Sequence, residues 1–123
     1  MDGDIVVPVD LRNIGYWLKA LFGTPATNGS GPYAHDFVSG EVNLPSLSLE
    51  VGLPDVPDYP LFTGVRANSC AFNFQRSGEA QVTIGLIGQG ETPASSTRDA
   101  SPLEAVYSRF SQFQGSIKRA GSN

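Results

Sequence analysis

Hydrophobic and polar residues alternate along two neighbouring stretches between Leu61 and Gly90, and this pattern predicts a β-hairpin. In the first stretch Val65, Ala67, Ser69 and Ala71 are expected on one face, and Arg66, Asn68, Cys70, Phe72 and Phe74 on the other. In the second stretch Val82, Ile84 and Leu86 share a face. The polar segment between them contains Gly78, which lets the chain reverse. A lone hairpin is marginal in water, so a helix, further strands or other copies of the chain must cover it.

Apolar residues at helical spacing predict one helix over about Leu11–Phe22. The apolar positions are Leu11, Ile14, Leu18 and Leu21, with Trp17 and Phe22 widening the stripe. Asp10 precedes the stripe, where its carboxylate can accept hydrogen bonds from the N–H groups of the first turn. Gly23 is placed to end the helix, and Pro25 prevents the helix from continuing.

Shorter alternating segments predict further strands, and the whole indicates a mainly β fold with one flanking α-helix (α+β). The segments are Ile5–Val9, a short extended segment that Pro8 confines to an edge or to a non-strand conformation; Tyr33–Ser39; Ser46–Gly52, with Leu47, Leu49 and Val51 facing inward; and one near Phe113–Arg119. Met1–Gly3 is expected to be disordered, and Thr24–Pro32 and Thr92–Pro102 are expected to be loops. One helix and about five short strands cannot close a barrel alone, and open sheet edges template association. The element count therefore predicts self-assembly.

Length and charge narrow the classes of function. The chain has 123 residues, enough for one domain over residues 1–123, and its net charge is −4. This balance argues against general nucleic-acid binding, which needs cations to neutralise phosphates. Residues 1–60 carry eight acidic and two basic side chains, whereas residues 61–123 carry four acidic and six basic ones. Such polarity is consistent with head-to-tail packing between copies.

Targeting and membrane signals are weak in this sequence. The apolar run Ile5–Val7 is too short for a signal peptide and has acidic neighbours. No apolar run is long enough to cross a bilayer. The expectation is a soluble protein that is made in the cytoplasm and has no membrane partner.

The residues that could carry chemistry do not combine into a catalytic or cofactor site. His35 and Asp36 are adjacent on a predicted strand, so they point to opposite faces and cannot act as a base and its orienting acid. Asp55, Asp58 and Glu50 offer too few ligands for a dedicated Ca²⁺ site. Cys70 is the only cysteine, which excludes an intramolecular disulfide and favours a small buried residue. We therefore predict no catalytic residue, no cofactor and no metal.

Aromatic residues are compatible with two kinds of function, self-assembly and ligand binding. Phe72, Phe74, Tyr107, Phe110 and Phe113 could stack a sugar or a base, although aromatics on a strand face more often lie in a core or a subunit interface. One hypothesis is a self-assembling structural protein. The alternative is a monomeric carbohydrate- or protein-binding β-domain.

The order of six segments resembles the tail tube proteins (major tail proteins) of long-tailed, siphovirus-like phages and prophages. The segments are Ile14–Gly23, Gly31–Phe37, Pro45–Val56, Leu61–Phe74, Val82–Glu91 and Phe110–Ile117. The resemblance implies an antiparallel β-sandwich or partial barrel flanked by one helix. Chains that look like this one usually run on past the position of Asn123, so the resemblance implies a short member, a prophage remnant or a piece truncated at its C-terminus.

The resemblance also implies a function without catalytic residues. Copies would form rings, expected to be hexamers, that stack into the virion tail tube and contact other tail proteins, while DNA passes through the lumen without specific binding. The loops Thr24–Pro32 and Thr92–Pro102 would contact the next ring. The residues predicted to make the subunit contact are Arg66, Asn68, Cys70, Phe72, Phe74, Val82, Ile84 and Leu86.

Overall fold

The computed structural model describes residues 2–75, 77–104 and 106–109. Its elements in chain order are β1 (Asp2–Pro8), α1 (Ile14–Phe22), β2 (Ala26–Asn28), β3 (Ala34–Asp36), β4 (Leu47–Glu50), β5 (Leu61–Asn73), β6 (Gln81–Ile87) and β7 (Gly90–Thr92). The predicted class, mainly β with one helix, is confirmed. The strands of the predicted hairpin, β5 and β6, pair antiparallel as expected.

The main sheet has β6 between β1 and β5. β1 pairs antiparallel with β6 along its whole length, from Asp2 opposite Ile87 to Pro8 opposite Gln81. The beginning of β5 pairs with both β4 and β7. β1, β6 and β5 form a curled antiparallel half-barrel, and β2 and β3 form a separate two-stranded sheet.

One face of the main sheet forms the hydrophobic core. Ile84 lies at its centre and is paired with Ile5 on β1 and Cys70 on β5, and residues directly opposite each other share a face. The buried strand residues of this core are Val65, Ala67, Val82, Ile84 and Leu86. α1 packs on it through buried Ala20 and through half-buried residues that include Trp17. Apolar burial between the helix and this face therefore holds the two layers together.

The opposite face of the sheet, here called the polar face, is mostly exposed. Its residues are Asp2, Asp4 and Val6 of β1, Gln81, Thr83, Gly85 and Ile87 of β6, and Arg66, Ser69, Ala71 and Asn73 of β5. Val6 is 57% exposed and Ile87 is 49% exposed. The sheet therefore has one face buried in the core and one face exposed to solvent.

The helix begins three residues later than the sequence predicts but ends at the predicted glycine. Residues 11–13 form a turn, and α1 starts at Ile14, whose N–H donates to the Asp10 carbonyl over 3.2 Å. At the other end, the N–H of Gly23 donates to the Lys19 carbonyl over 2.9 Å. Gly23 has φ +90° and ψ −164°, a conformation that essentially only glycine adopts.

We expect Gly23→Ala to lower the free energy of unfolding by about 1–3 kcal/mol, because an L-residue at this φ and ψ is strained. A Cβ added at this position would also lie 2.7 Å from Cγ of Glu41. Urea denaturation measures the change. Gly15→Ala is the matched control: an added Cβ there meets no atom within 4 Å, so it should stabilise the helix by up to about 1 kcal/mol. Equal losses in both variants would contradict this account.

Several predicted boundaries are wrong, because local sequence patterns carry no information about which strands pair with each other. Asp2 and Gly3 belong to β1 and are not disordered. The segment expected to be a loop, Thr24–Pro32, contains β2, and the strand predicted over Tyr33–Ser39 is confined to β3. Val51 is 45% exposed rather than inward-facing. The strand predicted near Phe113–Arg119 lies outside the described residues.

Candidate assembly surface

The outer edge of β1 presents backbone groups that have no strand partner in the described part of the chain. Val9 donates its N–H to the carbonyl of Ala80 over 2.8 Å, so Val9 points toward the side occupied by β6. Backbone groups alternate between the two sides of a strand, which directs the N–H groups of Asp4 and Val6 away from β6. Pro8 occupies the next outward position, where its missing N–H costs no bond within the sheet.

The second half of β5 has a similar outer edge. The register between β5 and β6 is uninterrupted over Ser69–Asn73. Because Ile84 directs its backbone groups to β1, the alternation along β6 and β5 points those of Cys70 and Phe72 away from the sheet. β4 pairs with β5 only as far as Val65. None of the described strands lies beside Cys70 and Phe72, so within this part of the chain both margins of the sheet lack a partner.

A β-bulge changes which side chains of β5 share a face. The register shifts by one residue between Ala67 and Ser69, which leaves Asn68 as the extra residue. The prediction that Arg66, Asn68, Cys70, Phe72 and Phe74 all lie on one face is therefore wrong. Arg66 belongs to the polar face, whereas Cys70 and Phe72 lie on the core face. A pattern with a period of two cannot reveal one inserted residue.

Phe72 and Phe74 form an exposed aromatic pair at the end of β5. Their ring centroids are 6.1 Å apart and their planes differ by 6°. The two side chains remain 47% and 45% exposed. Aromatic residues are enriched in protein interfaces, and this pair lies next to an unpaired strand edge.

The structure divides the eight residues that were predicted for the subunit contact. Val82, Ile84 and Leu86 are at most 2% exposed within the single chain, so their side chains have no surface to offer a neighbour. Their side chains face the chain's own core, and alternation alone does not distinguish such a core from an interface. The accessible members of the set are Arg66, Asn68, Phe72 and Phe74, which are exposed, and Cys70, which is half-buried.

Two of the residues considered for chemistry, His35 and Asp36, have hydrogen-bonding partners. Oγ1 of Thr27 lies 2.9 Å from Nδ1 of His35 across the β2–β3 pair, and Nδ2 of Asn28 donates to Asp36 over 3.3 Å. Burial raises the pKa of the Cys70 thiol, which favours its neutral form. Among the described residues, no three His, Cys, Asp or Glu side chains are grouped to hold a metal ion.

Asp10 connects the start of the helix to the last described segment. Its carboxylate accepts the N–H of Ser108 over 2.6 Å and the N–H of Asn13 over 2.7 Å, although the residue is only 1% exposed. The N–H of Arg12 donates to the same carboxylate over 3.2 Å. Burial raises the pKa of Asp10, but the hydrogen bonds from Ser108, Arg12 and Asn13 outweigh it and hold the pKa below its ordinary value of 3.8. The sequence predicted Asp10 as the helix N-cap, which is wrong because the N-cap is Asn13. Asp10 instead holds the turn before the helix and binds Ser108, a partner that nothing in the sequence signalled.

We expect Asp10→Asn to destabilise the protein at pH 7, because the added amide N–H₂ would face groups that are themselves donors. The folded pKa is lower than the unfolded one, so the ionised carboxylate stabilises the fold above pH 3.8, and this contribution is lost as the pH falls through the folded pKa. The urea midpoints of wild type and variant should therefore differ most at pH 7 and converge below pH 3.8. Asp36→Asn, at an exposed position, is the control. A difference that persists at low pH would contradict the role of the charge.

Glu50, at the end of β4, binds the loop that follows β7. Its two carboxylate oxygens accept the Thr97 hydroxyl over 2.6 Å and the Arg98 N–H over 3.0 Å. These hydrogen bonds lower the pKa of Glu50. The loop is therefore held near the margin of the sheet.

In the described part of the chain, the sheet has two margins without a strand partner, one face covered by α1 and one polar face. A comparison with protein families matches the whole chain, residues 1–123, to the phage tail tube protein family. The chain belongs to this family. Membership gives it a structural role as a component of the virion tail, and the family is not a class of enzymes. No curated protein and no solved structure matches the chain. No described helix is long and apolar enough to cross a membrane.

Proposed function

We propose that copies of this chain join edge to edge into rings, and that the rings stack into the tail tube that conducts the phage genome. The observation that carries this proposal is that two edges of one sheet, β1 on one margin and the second half of β5 on the other, have no partner among the described strands. An interface between two different patches repeats from copy to copy and closes into a ring when the rotation allows. Joining the β5 edge of one copy to the β1 edge of the next would satisfy the backbone groups of Val6 and Phe72.

The polar face is the face that can line an aqueous channel, because the other face is buried under α1. In the described residues its charged side chains are Asp2, Asp4 and Arg66. A surface with so few cations would not hold the phosphates of passing DNA, since nonspecific binding depends on phosphate neutralisation. The channel would therefore conduct DNA without gripping it.

The finer features of the assembly are part of the same proposal. The ring has six copies of a single domain over residues 1–123, which is made in the bacterial cytoplasm before it joins other tail proteins. Arg66, Asn68, Cys70, Phe72 and Phe74 contribute to the subunit contact. The segments Thr24–Pro32 and Thr92–Pro102 contact the next ring.

Negative-stain electron microscopy of the purified protein tests the proposal, together with size-exclusion chromatography and light scattering. We expect rings or tubes with a central channel, at a mass that is a multiple of the 13.0 kDa chain. A particle with the mass of one chain at every concentration would contradict self-assembly and would favour a monomeric binding domain.

A further inference from the structure

A groove of about 580 Å³ lies along α1 and collects the positive charge of the N-terminal half of the chain. Arg12, Lys19 and His35 line it, and they are the only basic residues and the only histidine among residues 1–60. Neither Arg12 nor Lys19 forms a salt bridge with a described residue. The groove therefore presents unpaired cations on an otherwise acidic half of the molecule.

The remaining lining of the groove is largely apolar. It includes Leu11, Tyr16, Leu18 and Phe37. Leu11 is 70% exposed and Tyr16 is 74% exposed. Contiguous exposed apolar surface with a charged rim is characteristic of an interaction site, and here the rim selects an acidic partner.

A protruding turn elsewhere on the chain has the complementary composition. This segment, called the acidic turn, spans Leu53–Asp58 and is closed by the Leu53 N–H donating to the Asp58 carbonyl over 2.8 Å. Val56 is 70% exposed, and it lies between Asp55 and Asp58, neither of which forms a salt bridge with a described residue. Pro54 and Pro57 restrict the backbone, so little conformational entropy would be lost on docking.

We propose that the acidic turn of one copy docks into the groove of a second copy. Val56 covers the apolar lining, while Asp55 and Asp58 approach Arg12 and Lys19. No residue of the acidic turn lines the groove of its own chain, so the contact is between molecules. The inference rests on the proposed self-assembly and adds a second contact, separate from the strand edges, which gives the assembly its direction.

Charge reversal tests the contact directly. A turn variant, Asp55→Lys with Asp58→Lys, and a groove variant, Arg12→Glu with Lys19→Glu, should each raise the concentration needed for assembly by at least about tenfold, because like charges would meet across the contact. An equimolar mixture of the two variants should assemble again, because each reversed site then meets an opposite charge. The control is Glu41→Lys with Glu104→Lys, which reverses two exposed acids elsewhere and should assemble like wild type. Circular dichroism checks that all variants fold.

Photo-crosslinking identifies the neighbour of the acidic turn. A benzoylphenylalanine placed at position 56 should give dimers in which the adduct maps to residues 11–19 or 35–37 of the second chain. Wild type that assembles, with both charge variants assembling equally well and adducts elsewhere, would overturn this inference and leave ring formation intact. Wild type that stays monomeric would overturn both proposals.

Discussion

Replacing Ile84 with alanine will lower the free energy of unfolding by about 2–5 kcal/mol, the range for removing a fully buried isoleucine side chain. Ile84 is 0% exposed and is paired with Ile5 and Cys70 at the centre of the sheet. The cavity would open beneath α1, where the surrounding side chains can collapse only in part. Trp17 packs against this core and is the only tryptophan, so its fluorescence reports urea denaturation without a label.

Ile87→Ala is the matched control for this experiment. Ile87 is the same residue type on the same strand, but it is 49% exposed on the polar face. Its replacement should cost less than about 1 kcal/mol, as exposed substitutions usually do. Similar losses at positions 84 and 87 would contradict the assignment of the two faces. Ile84→Lys would also unfold the chain by burying an unpaired charge, so loss of rings in that variant would say nothing about an interface.

Val6→Pro will abolish ring and tube formation while leaving the single chain folded. The N–H of Val6 points to the outer edge of β1, so proline there removes a donor offered to a neighbour and none of the bonds to β6. The pyrrolidine ring would also block the approach of another strand, as proline does on natural sheet edges. Pro8 already occupies the equivalent outward position two residues later. Size-exclusion chromatography with light scattering and negative-stain microscopy measure assembly, and circular dichroism measures folding.

Val6→Thr is the matched control for the edge variant, since threonine keeps the strand preference and the outward N–H. It should assemble like wild type. Val7→Pro is the opposite case: position 7 bonds to β6, so that variant should lose the fold itself. Assembly by Val6→Pro at the wild-type concentration would show that the β1 edge is not used between copies.

The sequence predicted the elements that depend on neighbouring residues. The hairpin of β5 and β6 follows from alternation, and the helix end at Gly23 follows from a glycine that accepts a conformation other residues avoid. The bulge at Asn68 could not be predicted, because it is defined only by pairing with β6. Because of this bulge, Arg66 and Cys70 lie on opposite faces of the sheet, although the alternating pattern predicted them on the same face.

The residues of the candidate assembly surface could be predicted from the sequence only in part, for a related reason. Cys70 and Phe72, both predicted at the contact, lie at an edge without a partner among the described strands, whereas Ile84 belongs to the chain's own core. Burial depends on what covers a face, and a sequence pattern does not show what that is. The sequence also did not predict the groove along α1. Arg12 and His35 line the same groove only because β3 lies near α1 in the folded chain.

The hydrogen bond between Asp10 and Ser108 sets a condition on when the protein can finish folding. Its partners are 98 residues apart in the chain. A ribosome adding about 5–20 residues per second would need on the order of 5–20 s to supply Ser108 after Asp10. For that interval the carboxylate lacks one of its donors, so the junction between β1 and α1 gains its full set of hydrogen bonds only after Ser108 has been made. A nascent chain that has not yet reached Ser108 would therefore hold its β1–α1 junction less tightly than the finished fold.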